Sequence, residues 1–131
     1  MSINTYEGTG SATTVGHGLG AVPEIIIIRS RDTASVDWAF FHGILGGTKY
    51  LLFNTTGVAG TASSLWNDTD PTSTVFTIGT TSKVNTDDEN YVAYVFTSKQ
   101  GFSKFGSYIG NGNADGPFIY TGFRPAWVLI K

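Results

Sequence analysis

Short apolar runs alternate with turn residues along the whole chain, at a spacing of about ten positions. The pattern predicts strands near Asn4–Glu7, Ala12–Gly16, Glu24–Arg29, Val36–His42, Lys49–Phe53, Thr74–Ile78, Tyr91–Ser98, Phe105–Tyr108, Phe118–Tyr120 and Trp127–Ile130. The run Ile25–Ile28 has no polar alternation, so it reads as a strand covered on both faces or central to a sandwich. Val36, Trp38, Phe40 and His42 share one face of their strand. Tyr91, Ala93 and Val95 oppose Val92, Tyr94 and Phe96, so both faces of that strand are apolar as well. Clusters such as Gly43 to Gly47, Asp68-Thr69-Asp70-Pro71, Asp87-Asp88-Glu89-Asn90 and Gly110-Asn111-Gly112 supply the positive φ or self-bonding side chains that turns demand. Gly57–Thr72 is the longest stretch without a clear strand, with a short helical turn expected around Ala62–Trp66. The fold class expected is all-β: an antiparallel, jelly-roll-like sandwich of about ten short strands.

The opening of the chain recurs near its end. Residues 5–29, TYEGTGSATTVGHGLGAVPEIIIIR, superpose without a gap on residues 107–131, SYIGNGNADGPFIYTGFRPAWVLIK, at a constant offset of 102. Seven of the 25 pairs are identical: Tyr6/Tyr108, Gly8/Gly110, Gly10/Gly112, Ala12/Ala114, Gly20/Gly122, Pro23/Pro125 and Ile28/Ile130. Thr5/Ser107, Ile26/Val128, Ile27/Leu129 and Arg29/Lys131 are close. Self-similarity at a fixed period marks a modular architecture. Residues 1–102 are therefore expected to form one sandwich unit. Residues 103–131 supply the first strands of a second, which either complete or share a sheet. Two copies of one element cannot fill the same place in one sandwich, so the second is a candidate for assembly by strand sharing.

Composition agrees with strands and narrows the chemistry. Thr, Val, Ile and aromatic residues abound, with 14% of the chain aromatic and 17 glycines. Charged residues make up only 14%, against roughly 25% in an average globular domain. A net charge of −2 gives no basic footprint for nucleic acid. No apolar run approaches the ~20 residues of a membrane helix, so membrane insertion is not expected. With no cysteine, disulfides, thiolate metal sites and cysteine nucleophiles are excluded. MSINTYEG has no basic region leading into an apolar stretch and does not read as a secretory signal.

Few residues suggest reaction chemistry. His17 and His42 with Asp37 would make a metal site only if all three converged, and no HxH or HExxH spacing requires it. There is no Gly-x-Ser-x-Gly elbow, and only Asp37, beside Trp38, is a strand acid with aromatic company, where a glycosidase needs a pair. Asp68-Thr69-Asp70 lacks the glycine and distal glutamate of a calcium loop. Gly8-x-Gly10 does not lie between a strand and a helix, so it reads as a turn and not a phosphate cradle. Asp87–Asn90 reads as a solvated hairpin tip. No enzyme activity, cofactor or metal is expected. The best binding cluster pairs aromatic rings with small polar groups, the ordinary means of sugar recognition. It comprises Trp66, Asn67, Asp68 and Asp70, with His42 and Tyr50 as neighbours. The alternative for Trp66 is that it seals the sandwich edge.

The segments TYEGTGSATTVGHGLGAVPEIIIIRSR, DWAFFHGILGGTKYLLFNTT, SLWNDTDPTSTVF and YVAYVFTSKQGFSKFGSYIGNGNADGPFIYTGFRPAWVLIK together resemble a tandem β-domain of tailed bacteriophages, found in tail-fibre and related virion proteins, notably of marine phages. The GHGLG-x-x-P-strand piece also resembles H-type lectin-like fibre modules. In the phage family such domains follow one another along a chain, whereas here Val128–Lys131 ends it; a fragment or a strand-sharing subunit is expected. The resemblance implies a virion location, in a tail or appendage that is extracellular after assembly. It implies a non-enzymatic structural and receptor-binding module. Its partners would be copies of itself, in a homo-oligomer or head-to-tail, and a bacterial surface glycan. The alternative is a purely structural spacer or a filament subunit joined through residues 103–131.

Overall fold

The computed structural model describes residues 1–131. Its elements are β1 (Ser2–Glu7), β2 (Thr13–Gly16), β3 (Ile25–Ser30), β4 (Ala39–His42), β5 (Lys49–Leu52), β6 (Gly60–Thr61), α1 (Ser63–Trp66), β7 (Val75–Ile78) and β8 (Asn90–Phe96). Six strands form one antiparallel sheet in the order β1-β8-β3-β4-β5-β6, and β2 pairs with β7 in a second. The molecule is an all-β sandwich with the eight strands divided unevenly, six against two.

The period-2 patterns set which side of each strand faces inward. From the large sheet, Ile26 and Ile28 of β3, Ala39 and Phe41 of β4, and Tyr91, Ala93 and Val95 of β8 point into the core. They meet Phe76 and Ile78 of β7, Leu65 and Trp66 of α1, and Val84. The unbroken isoleucine run is the central strand that its composition demands: β3 is paired on both sides, by β8 and β4. Its other face carries Ile25, Ile27 and Arg29. There the Arg29 guanidinium lies 5.5 Å from the Trp38 ring centroid and donates to the carbonyls of Val36 and Ala34, pinning the loop into β4. Beside it, Phe53 stacks between Trp38 and Phe40.

Strand length is where sequence and structure differ. Residues 36–38 stay outside β4, because Trp38 N–H donates to Asn54 Oδ1 and the Val36 carbonyl accepts from Arg29, so neither group joins a ladder. The strands expected at Phe105–Tyr108, Phe118–Tyr120 and Trp127–Ile130 do not form. Residues 5–29 already occupy the places beside β8, β7 and β4 that this sequence pattern fits, so the second copy has no ladder to join. Nine of the fifteen exposed large hydrophobic residues lie between Tyr108 and Ile130 as a result.

Asn85 fastens the β1–β2 turn to the body. Its side chain, fully buried, accepts from Thr9 N–H at 2.7 Å and donates to the carbonyls of Ser11 at 2.7 Å and Gly79 at 2.8 Å. Asn85→Ala strands all three partners. It should cost about 3 kcal/mol, given ~1–3 kcal/mol for each buried polar group left unpaired. The check is the urea midpoint; an unchanged midpoint would mean that the turn holds itself.

Candidate functional site

The sequence-predicted binding residues lie around two loops that the fold ties together. Helix α1 ends at Asn67, which adopts a left-handed conformation (φ 51°, ψ 39°) and donates its N–H to Ser63 carbonyl. Asp68 is left-handed as well, at φ 49°. Two successive left-handed residues turn the chain sharply, and Asn and Asp are the non-glycine types that tolerate this. The turn presents the Asn67 and Asp68 side chains to solvent and brings Asp70 to the β4–β5 hairpin, where its Oδ1 accepts from Gly47 N–H at 2.6 Å. His42 opens that same hairpin; its Nδ1 accepts from Ile44 N–H at 3.2 Å and its ring lies beside Phe40. Asn67, Asp68, Asp70 and His42 are thus linked through one pair of loops.

The two aromatic members behave differently. Trp66 is 1% exposed and sits in the core, edge-on to Phe41 with ring centroids 5.7 Å apart. The fold gives it the sealing role and not the platform role, since neither of its faces is open to a sugar. Its Nε1–H is buried with no acceptor. Tyr50 is half-buried and packs on the same core cluster. Helix geometry explains the outcome: Leu65 and Trp66 are the two residues that α1 turns inward, leaving the polar Asn67 and Asp68 outside.

The His17–His42–Asp37 combination is not assembled. His17 is fully buried on the small-sheet side, stacked on Phe76, with Nε2–H donating to Thr72 carbonyl at 3.1 Å and Nδ1 accepting from Leu19 N–H at 3.1 Å. Those partners assign it a neutral tautomer. His42 lies on the opposite face of the large sheet, and Asp37 accepts from Asn54 Nδ2. No group of three His, Asp or Glu side chains is placed to hold a metal ion.

The polar network that sequence reading missed lies at the β3–β8 end. Glu89, expected at a solvated tip, is 8% exposed. Its carboxylate accepts from Ser30 Oγ–H and from Tyr91 O–H, and these bonds, with Thr33 and Thr86, hold it below the usual glutamate range; the Ser30 bond contributes most. Tyr91 also donates to Ser82 carbonyl, while burial pushes its phenol up. Asp32 accepts from both Asn90 N–H and Nδ2, which lowers it. At the other end of β3, burial would raise Glu24, but bonds from Ser98 N–H at 2.7 Å, Ser98 Oγ at 2.9 Å and Thr97 Oγ1 at 3.2 Å outweigh it, helped by Lys104. Position parity was the available signal: Glu89 shares the inward phase of Tyr91, Ala93 and Val95, and Glu24 that of Ile26 and Ile28. Each of these acids is committed to hydroxyl, amide or backbone donors in clamps between strands and loops.

A family model described as a domain of unknown function, DUF7483, matches residues 1–131, across both copies of the repeated element. No curated protein and no solved structure matches the chain. The chain belongs to the DUF7483 family.

Proposed function

We propose that this protein is a non-enzymatic structural module of an extended appendage of the tailed-phage fibre kind, resident in the virion and working beside copies of itself. One observation carries this reading. The residues repeated between 5–29 and 107–131 are those that the β framework constrains, such as Tyr6, Gly8, Pro23 and Ile28, whereas the polar side chains His17 and Glu24 are not repeated. What recurs is a building element. The titratable side chains with perturbed acidity serve strand-to-loop clamps, which also favours a scaffold. Antibodies raised against the folded chain should label the tail or appendages of purified particles whose genome encodes it. Labelling confined to the lysate of infected cells would refute the virion placement.

Receptor binding is the second reading, favoured by the loop pair locked through Asp70 and Gly47 with Asn67 and Asp68 exposed beside it. Without the Trp66 face, recognition there would rest on hydrogen bonds to sugar hydroxyls and be weak for one copy, gaining strength through avidity. On a bacterial glycan array the parent should bind and the Asn67→Ala, Asp68→Ala double variant should not. Silence from both would leave the spacer role.

A further inference from the structure

Residues 107–131 join no strand ladder and rest on the body only loosely, through Lys131 Nζ donating to the Thr55 carbonyl and through residues 120–123 and 129–131 beside surface hollows, yet they keep the backbone settings of the segment they copy. Gly112 has φ +66°, as does Gly10, and Gly122 has φ +81° against +71° at Gly20. The third repeated glycine is more telling. At Gly8 an added Cβ would lie 1.9 Å from the Thr86 carbonyl oxygen, because β1 passes directly over the 86–89 turn and exchanges backbone bonds with it through Gly8 N–H to Glu89 carbonyl and Asp88 N–H to Gly8 carbonyl. At Gly110 an added Cβ would meet nothing within 4 Å. Glycine is needed at position 110 only if that backbone comes as close to a turn as Gly8 does. Tyr108 repeats Tyr6, whose ring stacks on Tyr91 and whose hydroxyl donates to Val84 carbonyl at 2.7 Å. Val128 and Ile130 repeat the buried Ile26 and Ile28.

We infer that residues 103–131 are a second closing segment for the place now held by residues 1–29, able to lie against β8, β7 and β4 of its own chain. The connection permits it. The chain reverses immediately after β8, where Lys99 and Ser103 bridge antiparallel and Gly101 takes φ +75°. The offset of 102 sets Ser103 where Met1 stands, so widening that turn to residues 97–102 would deliver the segment antiparallel to β8 in the register of β1. A six-residue connection is an ordinary length. Attachment to β8 through this short link gives the chain's own segment the advantage over that of a second copy.

The same comparison says which segment wins. Ile119 replaces His17 and loses the bond to Thr72. Ala126 replaces Glu24 and loses the three bonds to Thr97 and Ser98. Pro117 replaces Val15 and brings no N–H to the β7 ladder. Residues 1–29 therefore hold the place at equilibrium, and the later segment takes it when they are displaced. This holds whether or not the module binds a receptor.

The test uses Gly8→Val, Gly110→Val and the double variant in the full chain, followed by brief chymotrypsin digestion and mass measurement. The parent and Gly110→Val should be cut at Tyr108, Phe118 and Trp127 and spared at Tyr6 and Leu19. Gly8→Val should stay folded, in the parent's oligomeric state, with the pattern reversed. The double variant should be cut in both segments and lose its cooperative melt. A Gly8→Val protein that melts as the double variant does, that keeps the parent's cutting pattern, or that protects residues 107–131 only in a species larger than the parent overturns the inference.

Discussion

Replacing Trp66 with alanine should lower the unfolding free energy by about 3–5 kcal/mol, the usual cost of deleting a large buried aromatic side chain. In a domain of this size that is a fall in melting temperature of roughly 10–20 °C. The side chain is 1% exposed, holds the T-shaped contact with Phe41 and is the larger of the two residues by which α1 closes the core. Trp66→Phe separates ring from donor. It removes a buried N–H that has no acceptor, a group that by itself costs ~1–3 kcal/mol, and keeps most of the packing. The phenylalanine variant should therefore lie much nearer the parent than the alanine variant does. A melting temperature for Trp66→Ala within about 3 °C of the parent would show that the tryptophan does not carry the core. Trp66→Ala also makes a poor probe of sugar binding, because any loss of binding would follow from loss of the fold; Asn67 and Asp68 are the informative positions.

Acid should destabilise the protein over a defined window. Glu89 and Glu24 are held below the ordinary glutamate value of 4.5, and Asp32 below 3.8. A carboxyl group with a depressed folded-state pKa binds protons less readily folded than unfolded. Its stabilisation is complete above the ordinary value and disappears as pH falls through the depressed one. Melting temperature should be nearly flat from neutrality to about pH 5 and fall steadily below about 4.5. Glu89→Gln should reduce that acid slope. At neutral pH it should cost on the order of 1–2 kcal/mol, by exchanging charge-assisted bonds from Ser30 and Tyr91 for neutral ones. An acid slope identical to the parent's would remove Glu89 from the set of linked groups. The matching experiment with Glu24→Gln tests the clamp at the other end of β3 in the same way.

The fold was largely legible in the chain because inward and outward phases repeat faithfully. The isoleucine run, the two-faced Tyr91–Phe96 strand and the helical turn before Asn67 all appear where their patterns put them. Two things were not legible, for different physical reasons. Residues 105–130 have real strand character, but a strand exists only by pairing. Local strand character carries no record that the ladder positions are already filled by an earlier segment; only the repeat at an offset of 102 marks that two copies compete for one place. At the candidate site, a tryptophan followed by Asn-Asp-Thr-Asp reads equally well as a sugar platform or as a core plug with a polar turn. The choice depends on how α1 packs against β7 and turns Trp66 onto Phe41, which is a tertiary matter. The cluster Asp87–Asn90 reads as one solvated turn, although alternation separates exposed Asp88 from buried Glu89.

The uneven division of strands also has a kinetic side. The pair β2–β7 has two free edges, and its hold on the rest of the molecule is concentrated in few places: Phe76 and Ile78 beneath it, and at one end the Asn85 clamp with the backbone bonds from Gly79, Thr80 and Thr81 to α1. The six-stranded sheet keeps β3 and β8 each bonded on both sides. Partial opening should therefore begin at the small sheet, which can lift as a flap while the large sheet keeps its register. Such a flap sets a clock for the molecule. How often it rises limits how fast any residue of the first strands can be released, independently of how tightly they are held once it closes.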